Sequence, residues 1–214
     1  MWLIPRLEAF QREFADIDIR VDASDVAVDL EVTDVEVAGG YARAERMPPG
    51  ALRMFGESVT PMASPWLLKS GPPLKQPTDV LGHTLIEAAD AYTPHLEWLT
   101  WRRWLDTHGM ARAQPKRWLS FNYAYQMTQA ALSGQGIVLA RPPLVAESLA
   151  RGELVEVFPH TRLHSPMAYW LLLAPRSAQR PEVKAFADWL SAQAVATREV
   201  TGEGVDSDLV NDLD

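Results

Sequence analysis

The sequence predicts an α/β protein with mostly parallel sheets. Three observations carry that expectation. Apolar residues at helical spacing near the start feed directly into a period-two segment. The compact apolar run Ile137 to Ala140 lies between two helix-like segments that are each stopped by glycine. A last helix begins near Pro181, with Val183, Phe186, Ala187, Leu190 and Ala194 as its buried stripe. Helices alternating with short strands along the whole chain are the signature of this class.

In chain order, Leu3, Leu7, Phe10 and Phe14 mark one face of an amphipathic helix, with Pro5 in a first turn that tolerates its missing N–H. Ile17, Ile19 and Val21 then alternate with polar residues, which predicts a strand. Val26, Val28, Leu30 and Val32 also alternate, yet the run opens on Ser24-Asp25, a good N-cap pair, so strand and helix both remain open. Val35 and Val37 lead into Gly39-Gly40-Tyr41, read as a strand stopped by a glycine turn. Val59 to Ala63 is a further strand, and Pro65 to Leu68 starts a short helix stopped by Gly71-Pro72-Pro73.

Leu85-Ile86 is a strand candidate, and Trp98, Trp101 and Leu105 share a helical face with Trp104 alongside and Gly109 at the end. Asn122 is a plausible N-cap for a helix running to about Ser133 and stopped at Gly134. Pro142-Pro143 opens another helix ended by Gly152; Leu154 to Phe158 and Tyr169 to Ala174 read as strands.

Composition narrows the chemistry. The 214 residues are 47% apolar and 22% charged, with 16 prolines, 12 glycines and no cysteine. Thiol nucleophiles, zinc ribbons, iron–sulfur centres and redox dithiols are excluded. The net charge of -8 is concentrated at the end: Glu199, Glu203, Asp206, Asp208, Asp212 and Asp214 lie beyond the last base, leaving 22 acids against 20 bases before them. Residues 199–214 therefore read as an acidic, disordered tail. The near-neutral remainder argues against a dominant phosphate-binding face. No secretory signal and no stretch long enough to cross a bilayer is visible, which predicts a cytoplasmic protein with no membrane partner.

Gly134-Gln135-Gly136 has the start of a dinucleotide fingerprint, but it follows a helix and precedes a strand, the reverse of what phosphate binding at a helix N-terminus needs. It reads as a helix stop. His160 and His164 are spaced like a helical metal pair but fall in a polar connection, and His83, His95 and His108 are isolated surface or cap residues. The tryptophans at 98 to 104 fit packing better than ligand stacking, and Arg102, Arg103, Arg112, Lys116 and Arg117 fit a solvated face. No catalytic residue, metal site or cofactor is assigned. The chain is read as a non-enzyme.

The run Trp2-Leu3-Ile4-Pro5-Arg6-Leu7 with Phe10, the Ser64-Pro65 step with Leu67-Leu68, Trp101-x-x-Trp104-Leu105 ending at Gly109, and above all Ala130-Ala131-Leu132-x-Gly134-Gln135-Gly136-Ile137-x-Leu139-Ala140 followed by Leu144-Val145 and Leu149-Ala150-x-Gly152-x-Leu154 resemble the C-terminal effector-binding domain of LysR-type transcriptional regulators. The glycine-cleavage-activator-like subgroup is the nearest, and the likeness covers about residues 2 to 195. The resemblance implies two Rossmann-like subdomains of the type 2 periplasmic-binding-protein fold joined by two crossover strands. Residues 1–64 plus 174–198 would form the first subdomain and residues 65–173 the second.

A small, carboxylate-bearing effector would then sit between them, lined by Tyr41, Thr60, Met62, Ser64, Phe121, Asn122, Tyr123, Leu139 and Arg141. The resemblance also implies a short helix over 25–32, a homodimer or tetramer in the full-length regulator, and dimer contacts that set residues 5–21 against 124–133. DNA would be bound only through a winged helix-turn-helix that is missing here, as is the domain's first strand, so Met1 reads as a truncation. Gly39 departs from the subgroup, which places a more polar residue near it. A solute-binding protein of the same fold, or less readily an enzyme, is the competing reading.

Overall fold

The computed structural model describes residues 1–24, 26–89 and 97–203. The chain divides into two compact units: Met1 with Glu57–Ser165, and Trp2–Gly56 with the segment from Pro166 onward. Two strands, β2 (Leu52–Ala63) and β7 (Leu163–Leu173), run from one unit into the other. The fold is α/β as expected, but the sheet is mixed and not mostly parallel: of the described strand pairs three are antiparallel and two parallel.

In the unit that begins at Trp2, β1 (Val37–Ala42) pairs antiparallel with β7, Val37 opposite Leu173 and Tyr41 opposite Tyr169. The glycines do not end this strand as expected. Gly40 pairs with Trp170, and a Cβ there would come within 2.8 Å of Leu172 Cδ1, a side-chain tip that would have to move aside. Helix α1 (Leu7–Glu13) buries Phe10, whose ring packs 5.0 Å from Phe186 and 5.2 Å from Trp189 on the long C-terminal helix Pro181–Thr201. Trp2 donates from Nε1 to Thr197 Oγ1 at 2.8 Å. These contacts hold the two helices together by buried aromatic area, the largest single favourable source in a small core.

The alternating runs at 16–22 and 25–32 form neither strand nor helix where they are described. Alternation gives a strand only when a neighbour supplies the ladder, and among the described residues neither run has one. Asp29 instead closes a turn, accepting from Glu31 N at 2.9 Å through its side chain and from Thr33 N through its carbonyl. The Arg176 guanidinium then donates to the carbonyls of Leu30, Thr33 and Val35. Val26 and Val32 are left exposed.

The C-terminal helix also runs further than the charge pattern suggests, to Thr201, and closes on Gly202 at φ 73°, where a left-handed residue is needed and glycine has no Cβ penalty. Glu203 is therefore no solvated tail residue. Its carboxylate accepts from Gly56 N at 2.8 and 2.9 Å and from Arg53 Nη2. Glu203→Gln is expected to cost about 1–2 kcal/mol and to speed hydrogen exchange at the Gly56 amide; an unchanged exchange rate there would show that the bond carries nothing. Residues 204–214 lie outside the described residues.

In the other unit, β3 (Thr84–Ala88) is central and parallel to both β4 (Arg117–Phe121) and β5 (Ile137–Ala140). β5 pairs antiparallel with β2, and the short β6 (Val155–Glu156) adds to β2 as well. Only two residues of the expected strand 154–158 are therefore in the ladder. All four residues of β5 are buried because both faces of the sheet are covered. One face packs Leu85, Ile137 and Leu139 against α3 (Trp101–Thr107); the other packs Ile86, Val138 and Met62 against α4 (Ala124–Leu132).

Cap residues fix the ends of these helices. Ser64 accepts from Leu67 N at 3.3 Å before α2 (Pro65–Ser70), and Thr100 accepts from Arg103 N at 3.1 Å before α3. Gly134 ends α4 at φ 72°, and Gly152 ends α5 (Ala146–Ala150) at φ 67°. Trp101 and Trp104 are wholly buried and T-shaped at 5.4 Å, so they are core residues. Trp98 lies outside α3, with Arg103 stacked on its ring at 3.8 Å. His83 is buried instead of surface-exposed, its Nε2 3.0 Å from Pro72 O, and His108 is the α3 cap. His95 lies outside the described residues.

Candidate functional site

Parallel strands all leave their sheet at the same edge, and ligands of open α/β sheets bind beyond the carboxyl ends. In the unit containing Glu57–Ser165 that edge is formed by Ala88, Phe121 and Ala140, with Thr60 entering from the antiparallel β2 directly opposite Ala140. The order of elements therefore places Thr60, Phe121, Asn122, Tyr123 and Arg141 at one edge. Tyr41 belongs to the other unit, where its ring lies 5.0 Å from Tyr169.

Not all of the expected lining faces outward. Met62 is wholly buried against α4, and Leu139 is buried on the opposite face of the sheet. The period-two geometry that puts both at the end of their strands also turns them to opposite sides. Ser64 is buried as the α2 cap. Asn122 is exposed and does not cap α4. Tyr123 holds that position without a side-chain hydrogen bond, so the first N–H groups of α4 have no side-chain cap.

Thr60 is the unusual group. Its Oγ1 is fully buried and completes no well-formed hydrogen bond among the described residues, its influence reaching only the nearby Glu156 carboxylate. A buried hydroxyl without a well-formed partner is rare.

Three carboxyl groups that sequence reasoning did not single out lie on strands of the same unit. Glu57, with its side chain wholly out of solvent, meets Arg141 Nε at 3.2 Å. Glu156 accepts a fork from Arg162, at 2.7 Å from Nε and 2.8 Å from Nη2. Glu87, buried in β3, accepts from Trp101 N at 3.2 Å. A polar residue at a strand position beside apolar neighbours is the only sequence signal each of them gave.

Their protonation follows from their partners. Burial pushes the Glu87 carboxyl up, and the Trp101 N–H only partly offsets this. A raised folded value favours the protonated form, so the stability tied to Glu87 is full below its unfolded value near 4.5 and is lost as pH rises through the folded value. Glu87→Gln is thus expected to raise the melting temperature at neutral pH and to leave it unchanged at about pH 4 or below. A variant less stable at both pH values would contradict this.

Glu156 behaves in the opposite sense. Burial works against its charge, but the Arg162 fork and Thr60 prevail and hold the carboxyl below its usual range. Its contribution is full above the ordinary glutamate value of 4.5 and fades as pH falls through the lowered value. Burial likewise lowers His83, so its contribution is full above 6.5 and fades below that.

Comparison with known proteins agrees with this architecture. Residues 1–195 match the model of the LysR substrate binding domain. The chain is 32% identical over 198 residues to the glycine cleavage system transcriptional activator of Escherichia coli, covering 92% of this chain and 62% of that protein. It is 28% identical over 194 residues to the transcriptional activator AmpR of Pseudomonas aeruginosa, covering 90% and 62%. The chain thus spans about 62% of the length of these relatives.

The solved effector domain of AmpR from Pseudomonas aeruginosa superposes with a TM-score of 0.64 at 28% identity, covering 94% of this chain and 91% of that one. CrgA, a LysR-type regulator from Neisseria meningitidis, shares the fold at a TM-score of 0.66 and 20% identity, covering 90% and 64%.

Proposed function

The chain belongs to the LysR substrate-binding-domain family, and from that premise we propose that it senses a small molecule at the carboxyl edge of β3, β4 and β5 and does not transform it. It is the effector-binding domain of a LysR-type regulator. In the whole regulator, transcription would be controlled by a separate DNA-binding domain. The observation that carries the location is Thr60: a buried hydroxyl without a well-formed partner, opposite the end of β5, at the edge where α4 begins with uncapped N–H groups. Free N–H groups at a helix start suit a carboxylate or another polar acceptor.

An effector alters such a protein by preferring one of its states, and can shift the balance only by its difference in affinity for them. We take the cytoplasm as its compartment and a homodimer as its working form, with residues 5–21 of one copy against 124–133 of the other. Sedimentation that finds only monomers at high concentration would remove the dimer. No helix among the described residues is long and apolar enough to cross a membrane.

Binding is tested by melting the domain with a panel of amino acids and aromatic acids. A true ligand at a hundredfold excess over its Kd adds about 2.7 kcal/mol, a rise of roughly 5 °C or more for a domain of this size. Thr60→Val nearly keeps the volume and removes the hydroxyl, and should weaken that shift when it is measured against the variant's own ligand-free melt, since Thr60 also helps to hold the Glu156 carboxyl charged. No response to any member of the panel, or turnover of one of them, would overturn the reading.

A further inference from the structure

Tyr41, which the resemblance set beside an effector, has a more definite neighbour within its own unit. In the β1–β7 ladder it stands directly opposite Tyr169. Ala174 N donates to Glu36 O at 2.8 Å, so residues 36 and 174 occupy a hydrogen-bonded position of this antiparallel ladder. Every second residue repeats that position, which puts Tyr41 and Tyr169 at a non-hydrogen-bonded one. There the strands stand closest, with Cα atoms roughly 4.5 Å apart, and opposed side chains meet. The two rings are 5.0 Å apart between centroids and inclined at 44°, so their facing edges are nearer still.

The surroundings keep the pair in place. Trp170 ties one strand to the other beside it, donating from Nε1 to Ala42 O at 2.9 Å. Phe55, itself buried, packs 5.0 Å from Tyr169 and is a ring that phenol oxidants leave untouched. Beyond it Trp2 lies 5.2 Å from Phe55 with the Arg6 guanidinium over its indole at 4.9 Å, a positive charge that disfavours loss of an electron there. Both tyrosines are half-buried. An oxidant at the surface can reach them, while collision with other molecules is restricted.

We propose that Tyr41 and Tyr169 form an oxidative modification site, joined to each other as a dityrosine by one-electron oxidants of the ferryl-haem or inorganic-radical class. Each phenol gives one electron to the oxidant and its hydroxyl proton to water, leaving a neutral phenoxyl radical whose unpaired spin lies partly on the Cε carbons beside the oxygen. The two radicals pair to form one Cε–Cε bond. Each joined carbon then releases its hydrogen as a proton while the oxygen takes one up, which restores two aromatic phenols. The sum is two electrons and two protons lost, the electrons being taken by two equivalents of oxidant. Among the described strands β1 ends the order, so the new bond fastens an edge strand to its neighbour and closes the chain between 41 and 169 into a loop.

The test exposes the dilute whole chain to a brief light pulse with ruthenium tris-bipyridine and persulfate, followed by digestion with trypsin. The chain has five tyrosines, so selection of one pair is a measurable preference. The expected product is a single chain lighter by two hydrogen atoms, with blue dityrosine fluorescence and with the peptides that carry 41 and 169 joined. Tyr41→Phe and Tyr169→Phe should each abolish that fluorescence, and Tyr125→Phe, in the other unit, should leave it unchanged.

Unfolding in urea before the pulse should remove the preference for this pair. Cross-links formed chiefly between chains or at other tyrosines, or an equal yield of the 41 to 169 link in urea, overturn the proposal. The peptide map of the wild type decides the matter even if a variant fails to fold.

Discussion

Trp101→Ala is expected to destabilise the domain by about 4 kcal/mol, the range found when a large aromatic is removed from a packed core. The indole is wholly buried. It lies edge-on to Trp104 at 5.4 Å and donates from Nε1 to Ile86 O at 2.9 Å, so truncation opens a cavity and strips a buried carbonyl of its partner. Trp101→Phe keeps much of the volume and loses chiefly the hydrogen bond, and should cost about 1–3 kcal/mol. Urea midpoints for the two variants check this. A loss below about 1 kcal/mol for the alanine would show that the side chain is not part of the core.

Gly136→Ala should cost about 3 kcal/mol, at the upper end for overpacking. A Cβ there would stand 2.5 Å from Thr84 O and 3.2 Å from Thr84 C. The obstacle is backbone of the adjoining strand β3 and cannot rotate away, so β5 and β3 must part. Gly152 supplies the control. Its φ of 67° makes alanine strained, but nothing lies within 4 Å of the added carbon, so about 1–2 kcal/mol is expected. Equal losses at the two positions, read from thermal melts, would refute the steric argument. The same comparison explains the Gly134-Gln135-Gly136 sequence without a phosphate: one glycine turns the helix end, and the other lets two strands approach.

Strong, self-contained patterns were legible in the sequence. The α4 helix, its glycine stop and β5 each carry their signal within about a dozen residues. The last helix announces its buried stripe, and the resemblance drew on the same block. The runs at 16–22 and 25–32 failed because alternation describes a surface and not a partner; the ladder beside them is absent, and Asp29 and Arg176 provide other bonds. For Met62 and Leu139, position along the strand was read correctly, but the side each faces depends on register with the neighbouring strand.

Glu57 and Glu203 were beyond the reach of local pattern. One is bound to Arg141, far along the chain, and the other closes on Gly56 in β2 from beyond the end of the last helix. Their meaning appears only when distant segments meet.

The Arg176 clasp has a consequence for how this domain can change over time. Because the carbonyls at 30, 33 and 35 are gathered by one side chain instead of a neighbouring strand, the stretch before them owes little to ladder register. Residues can be gained or lost there without sliding any sheet. Variation in length should accumulate at that point, while a single change at Arg176 would unfasten the whole loop.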